Sequence, residues 1–334
     1  MKALLNRSYG SPEVLELADI DTPAPAGGEV LVRVHAASLN PLDWHFLTGT
    51  PYPIRAMSGL RRPKQPIRGV DLAGVVEAVG AGVTAFAPGD AVFGFGIGSF
   101  AERAIAKERA LSRLPDGSTF EHGAAIPIAG ITALQGLDRA GVTTGTSVLV
   151  NGAAGGVGTF AVQLAAARGA EVTGVCSTRN VELVRSLGAS RVIDYTSVDM
   201  MAEGRRYDVV FDNVGNRSLS ECRRLLAPRG TYVLIGGRKK GRVLGPLKRL
   251  IATRVAFWHG SKRAITFNAV PSSDDLATIA ALVASGAVRS VIGARCALAD
   301  VPEALRELAA GHTKGKVVVE VVSSRTTGPD TAAE

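Results

Sequence analysis

Residues 146–158, TSVLVNGAAGGVG, run from a short β-branched stretch into a cluster of glycines, and a helix-like segment, TFAVQLAAARG, follows at once. A strand that turns through glycine into an amphipathic helix is the opening crossover of a βαβ unit. The pattern then repeats. β-branched runs recur at 171–175 (EVTGV), 191–193 (RVI), 207–212 (YDVVFD), 231–235 (TYVLI) and 264–267 (AITF), separated by helix-like segments such as VELVRSLG and RSLSECRRLLAPRG. Strands alternating with helices at this spacing predict parallel pairing, with helices on both faces of one sheet.

Six such strands are the number of a Rossmann fold, and the first crossover carries its signature. Residues 153–158, AAGGVG, fit the dinucleotide fingerprint with Ala153 in place of the first glycine. Ala154, Gly155, Gly156, Val157 and Gly158 are therefore expected to hold a diphosphate. Gly155 lets the backbone come close to it, and Gly158 lets the helix pack against the strand. The N-terminus of that helix adds free N–H groups and the positive end of its dipole. Asn213 and Val214 in DNVG, and Gly236 and Gly237 in IGG, lie beyond the carboxyl ends of two further strands, where an open parallel sheet binds ligands.

The second strand delivers the chain to Cys176, Ser177, Thr178 and Arg179. NAD sites often place an acid here, which binds the ribose 2′-hydroxyl and repels a 2′-phosphate. Hydroxyls with an arginine do the reverse, so Ser177 and Arg179 predict NADPH as the cofactor.

The regions on either side are different. Residues 1–124 alternate Gly and Pro with short β-like runs (EVLVRVHAASL, GVDLAGVVEAVG, GDAVFGFG, SFAERAIA), which predicts a compact, partly barrel-like β domain. Residues 125–267 form the dinucleotide-binding unit, and 268–322, ending in the strand-like GKVVVEVV, return to the first domain. The polar tail 323–334 is expected to be disordered. No apolar run reaches the roughly 18 residues of a membrane span, so a cytoplasmic protein is expected. Cys176, Cys222 and Cys296 are far apart and form no CxxC pair, and the five histidines show no HxxxH spacing. Neither a disulfide framework nor a metal site is predicted.

The net charge is +8, and nine of the basic residues fall in residues 238–263 without one acid. Leu244, Leu247, Leu250, Ile251 and Val255 recur there at helical spacing, which predicts a basic amphipathic helix. It either caps the cofactor cleft or a subunit contact in solvent, or docks weakly on a membrane surface within reach of a lipophilic acceptor. With 5% aromatic residues and no RNP-type motif, specific nucleic-acid binding is not expected.

Several segments, in order, resemble one known family: GEVLVRVHAASLNPLDW, GVDLAGVVEAVG, GDAVFG, NGAAGGVGTFAVQLA, DVVFDNVG and GKVVVEV. The chain resembles a zinc-independent member of the medium-chain dehydrogenase/reductase superfamily, of the quinone oxidoreductase group. The resemblance implies a discontinuous GroES-like catalytic domain packed on the Rossmann domain, with the active site between them and a homodimer as the assembly. Zinc-dependent relatives place a metal cysteine where this chain has Asn40, and a His–Glu pair where it has Val70 and Asp71. Their four-cysteine lobe is missing between VFGFG and SFAERA.

Without a Lewis acid, alcohol oxidation is harder and reduction of an electron-poor acceptor is favoured. The implied reaction is hydride transfer from NADPH to a quinone or an α,β-unsaturated carbonyl. The alternatives are a zinc-free alcohol dehydrogenase and a non-catalytic NADPH-binding protein. On the catalytic side, Asn40 either donates to the developing oxyanion or fixes the loop before Pro41, and Asp43 either orders that loop or touches substrate. Tyr52 resembles a cleft tyrosine that donates a proton or stacks on a ring, although PIRAMSGLRRPKQPI after it departs from the family pattern. His45 is a further donor candidate. On the cofactor side the resemblance adds Thr132, Tyr195 and Lys316.

Overall fold

The computed structural model describes residues 1–236, 245–311 and 313–321. Gly237, the basic residues Arg238, Lys239, Lys240 and Arg242, and the tail 323–334 lie outside the described residues.

The N-terminal part is built of β1 (Lys2–Asn6), β2 (Leu15–Asp19), β3 (Glu29–Ser38), β4 (Asp71–Val79), β5 (Ala91–Ile97) and β6 (Arg103–Arg113). Short helices α1 (Pro41–Thr48) and α2 (Ile54–Ser58) fill the β3–β4 connection, and α3 (Phe120–Ala124) leads into α4 (Pro127–Ala140). The dinucleotide-binding unit follows as β7 (Ser147–Asn151), α5 (Gly156–Ala167), β8 (Glu171–Cys176), α6 (Val181–Ser186), β9 (Arg191–Asp194), β10 (Tyr207–Asp212), α7 (Leu219–Arg224), β11 (Leu226–Leu234), α8 (Gly245–Ala256) and β12 (Arg263–Thr266). The chain closes with α9 (Ser273–Ala284), β13 (Ile292–Ala297), α10 (Val301–Ala310) and β14 (Lys316–Glu320).

One sheet runs β12-β11-β10-β7-β8-β9, and all its pairings are parallel. The order reverses between β7 and β10, which opens a crevice at their carboxyl ends. The second sheet runs β13-β14-β3-β4-β5-β6 and closes through an additional β3–β6 pairing, giving the barrel-like domain. β14 pairs antiparallel with β3, so the C-terminal strand does return to the N-terminal domain.

Two local expectations are revised. RSLSECRRLLAPRG is helical only over Leu219–Arg224, and β11 starts at Leu226. Pro228 cannot continue a helix, and Arg229 has φ 66°, a left-handed conformation that breaks the local periodicity. The positive-φ turn after β7 is made by Gly152, at φ 78°, one residue before the Ala153 assigned to that place. Helix α9 packs on α4, with Ile279 Cδ1 3.0 Å from where a Cβ on Gly130 would stand. A single core runs across both domains here, from Ala73 and Phe93 through Ala129 and Ala133 to Leu276 and Ile279.

Candidate active site

The fingerprint loop is a cradle lined by backbone. Gly152 N–H and Ala153 N–H both donate to Val175 O, at 3.2 and 3.0 Å, which pins the turn to β8. Gly155 then caps α5 in an extended conformation. A Cβ on Gly158 would stand 2.0 Å from Gly152 O, so only glycine lets helix and turn meet. A Cβ on Gly155 would find only Gly152 O, at 3.5 Å, so the protein leaves that face of the backbone open. The first N–H groups of α5 have no intrahelical acceptor and point toward this opening.

The crevice beside the loop is organised by buried Asp212. Asn151 Nδ2 donates to its Oδ1 at 2.8 Å, as do Val214 N–H at 3.1 Å and Gly215 N–H at 2.9 Å, while Tyr232 Oη donates to Oδ2 at 2.7 Å. Asn213 Nδ2 donates to Asn151 O at 3.1 Å, and its buried Oδ1 has no hydrogen-bond partner. Gly236 passes so close to Asn213 O that a Cβ there would lie 1.9 Å away. The open cradle and the unmatched Asn213 oxygen both fit a dinucleotide, which brings phosphates and hydroxyl or amide donors.

Ser177, Arg179 and Tyr195 lie at the far end of the same crevice. Ser177 Oγ accepts from Asn180 Nδ2 at 3.2 Å, and the Tyr195 ring is exposed. Arg179 lines a cavity of about 570 Å³ with Gly293, Ala294, Thr313 and Lys314, so two cations border the space between the domains. The Thr178 hydroxyl, in contrast, donates to Asp194 Oδ2 at 2.6 Å and is not available to a phosphate. Thr178 and then Thr196 hold the Asp194 carboxyl below the usual carboxylate range. Sequence reasoning missed this acid because it ends the neighbouring strand, β9, rather than β8.

Between the domains lies a buried polar cluster centred on Asp71, which is 0% exposed. Ser38 Oγ, Asn40 Nδ2 and Lys316 Nζ donate to Asp71 Oδ2 at 2.9, 2.9 and 3.2 Å. Ile128 N–H, in the first turn of α4, donates to Oδ1 at 3.1 Å, so the carboxylate also meets the positive end of a helix dipole. Lys316 Nζ further donates to Asn40 Oδ1 at 2.6 Å and to Leu39 O at 3.2 Å. The register makes the cluster: Ser38 pairs with Asp71 across β3–β4 and with Val318 across β3–β14.

The next residue back, Gly315, donates its N–H to Ala154 O at 2.8 Å. The Lys316 stem passes 3.0 Å from where a Cβ on Gly156 would be. One short segment therefore touches the fingerprint loop and enters the catalytic domain. Lys316, expected on the cofactor, spends its ammonium group on the buried cluster instead.

Asn40 is also placed differently from the expectation that it donates to the acceptor. Its amide hydrogens go to Asp71 and to Ser38 O, the latter at 3.4 Å, and its oxygen accepts from Lys316, which leaves no donor free. Asp43 accepts the Asn40 N–H at 2.8 Å through Oδ2 and also lines a cavity of about 310 Å³ in the catalytic domain. Burial pushes its carboxyl up to about 7, with Asp71 adding to the effect and the Asn40 N–H, Lys316 and Arg68 opposing it.

Tyr52 is 44% exposed, with the Arg55 guanidinium 4.9 Å from its ring centre, and no hydrogen bond joins it to the Asp71 cluster. His45 Nδ1 lies 2.7 Å from Thr50 O, so that nitrogen carries the proton. Thr132 is buried within α4. No group of three His, Cys, Asp or Glu side chains among the described residues could hold a metal ion.

Comparison with known proteins gives concordant results. The family model described as "Alcohol dehydrogenase GroES-like domain" matches residues 26–116, and that described as "Zinc-binding dehydrogenase" matches residues 187–319. The chain is 33% identical over 335 residues to the chloroplast envelope quinone oxidoreductase homolog of Arabidopsis thaliana, covering 96% of this chain and 98% of that one. It is 36% identical over 250 residues to the human quinone oxidoreductase, covering 71% and 74%. Among solved structures, the quinone oxidoreductase from Coxiella burnetii superposes with a TM-score of 0.81 at 29% identity, covering 96% and 99%. The Escherichia coli quinone oxidoreductase complexed with NADPH does so with 0.79 at 25% identity, covering 96% and 100%.

Proposed function

The chain belongs to the quinone oxidoreductase group of the medium-chain dehydrogenase/reductase superfamily, and from that membership we propose that it uses NADPH to reduce a quinone or an α,β-unsaturated carbonyl without zinc. The observation that carries this reading is the Gly315–Lys316 segment. It ties the dinucleotide cradle to the buried Asp71 cluster, whose Asn40 donates its backbone N–H to Asp43. Asn40, Val70 and Asp71 occupy the places of the zinc ligands in metal-dependent relatives, and such a set makes a poor zinc site.

When bound, NADPH supplies a hydride to the electron-poor carbon of the acceptor. The chain's own part is to hold the loop rigid, exclude water and deliver a proton to the oxygen that gains charge. Asp43 is suited to the last task. Its Oδ2 is held by the Asn40 N–H, which leaves Oδ1 to carry the proton beside the cavity. Near neutral pH a large share of Asp43 is a neutral acid, the form that donates. Solvent that enters the cavity once the product has left restores the proton. Arg179 and Lys314 supply the positive charge for a 2′-phosphate.

Steady-state assays of chelator-treated protein against quinones and enones, with NADPH and with NADH, test the reading. The expected result is turnover of at least one acceptor class with NADPH preferred. Equal use of NADH removes the 2′-phosphate assignment alone, and activity that returns only with added zinc removes the metal-free one.

Asp43→Asn tests the proton role. Because the folded pKa lies above the ordinary 3.8, Asp43 favours the fold below about pH 4 and this contribution is lost as pH rises through about 7. The variant is therefore expected to gain stability over the wild type at about pH 9 relative to about pH 5, by a few kcal/mol at most. Its kcat should be lower and should lose the decline above about pH 7 that the acid imposes. An unchanged pH profile would remove Asp43 from the chemistry.

A further inference from the structure

Arg68 lies between the segment PIRAMSGLRRPKQPI, which departs from the family pattern, and the start of β4. It is only 6% exposed and lines the same cavity of about 310 Å³ as Asp43, with Phe46, Ile67, Gly69, Val70 and Gly98. Its protein partners are few. One Nη2 hydrogen goes to Gln65 O, and the guanidinium stands 6.0 Å from the centre of the Phe46 ring. Its Nε is buried with no hydrogen-bond partner, and it forms no ion pair with a described carboxylate.

A second unmatched group lies beside Gly69, which lines the cavity. Ser99 Oγ is buried and unpartnered, and it stands 2.4 Å from where a Cβ on Gly69 would be. A buried guanidinium without an anion is unfavourable, and burial already holds Arg68 below its usual value despite the help of Asp43. Because much of Asp43 is neutral near pH 7, it does not supply a full counter-charge.

We infer that this cavity is the acceptor site and that Arg68 selects acceptors carrying a carboxylate, which pairs with its guanidinium. This inference rests on the proposed reduction for its chemistry, though not for the binding site itself. The cavity is at the small end of ligand sites, so one or two fused rings or a short enone acid suit it. Arg68 and Asp43 both line this cavity, so an acceptor seated there can meet both groups.

The test uses the full chain without cofactor and two non-reducible probes, benzoate and its neutral isostere benzamide, titrated by calorimetry. Benzoate is expected to bind at least roughly tenfold more tightly than benzamide. Arg68→Met should abolish the difference while leaving NADPH binding intact, which also reports that the variant is folded. Should Arg68→Met fail to fold, Arg68→Lys keeps the charge but loses the planar fork, and is expected to weaken benzoate several-fold. Equal affinity for the two probes, or a preference that survives in the folded variant, overturns the inference.

In turnover, a naphthoquinone carrying a carboxylate should exceed the unsubstituted ring in kcat/KM, and Arg68→Met should erase that advantage. Carboxylate binding without reduction of any acceptor would defeat the proposed reaction and leave the Arg68 site standing. Reduction of both quinones with no Arg68 dependence would do the opposite.

Discussion

Lys316→Met is expected to destabilise the protein by about 3–5 kcal/mol, as removal of one partner from a buried ion pair does. Asp71 is fully buried, and Lys316 is the only cation among the described residues within ion-pair distance of it. Methionine fills similar space but leaves the carboxylate facing Ser38, Asn40 and a helix dipole, without a positive charge. Asn40 Oδ1 and Leu39 O lose their donor at the same time.

Urea unfolding of the cofactor-free protein measures the loss. The double variant Lys316→Met/Asp71→Asn removes both charges together and should recover a large part of it. Because Gly315 N–H is bonded to Ala154 O, the single variant should also weaken NADPH binding. An unfolding free energy within about 0.5 kcal/mol of the wild type would show that the cluster contributes nothing net.

The second large effect separates folding from binding within one loop. At Gly158 an added Cβ meets Gly152 O at 2.0 Å and the Ala153 backbone at 2.9 Å, so Gly158→Ala must push the turn away from α5. A cost of roughly 1–3 kcal/mol is expected, as for other overpacked sites, together with loss of measurable NADPH binding. Gly155→Ala meets only one protein atom, at 3.5 Å, and its φ of −80° suits any residue. Its stability should stay within about 0.5 kcal/mol of the wild type. Its NADPH affinity should still fall by tenfold or more, about 1.4 kcal/mol, because the methyl group occupies the approach of the pyrophosphate. Fluorescence titration with NADPH and thermal unfolding of the two variants check the contrast. Equal losses of stability, or unchanged affinity in Gly155→Ala, would remove the assigned role of the open face.

What the sequence reveals and what it hides follow from the range of the interactions. The parallel sheet is legible because each βαβ unit repeats a local pattern, and the loop at 152–158 is legible because its glycines are adjacent. The Asp71 cluster draws on residues 38, 40, 71, 128 and 316, which meet through the register of β3, β4 and β14 and the packing of α4 against them. Asn40 and Lys316 could be selected by resemblance, but their roles depend on partners that no linear motif specifies. Asp194 was hidden for the same reason, since strand order places the end of β9 beside that of β8. Arg68 carries no motif of its own, and its burial beside a cavity is what sets it apart from the other described arginines.

The central claim is metal-free hydride delivery from NADPH into this cleft. Single-turnover oxidation of the two C4-deuterated NADPH stereoisomers by chelator-treated protein, with a quinone or enone present, tests it most directly. The account predicts that one stereoisomer, and not the other, slows the reaction with a primary isotope effect. A reaction slowed by neither, or one that proceeds only when zinc is restored, would contradict it.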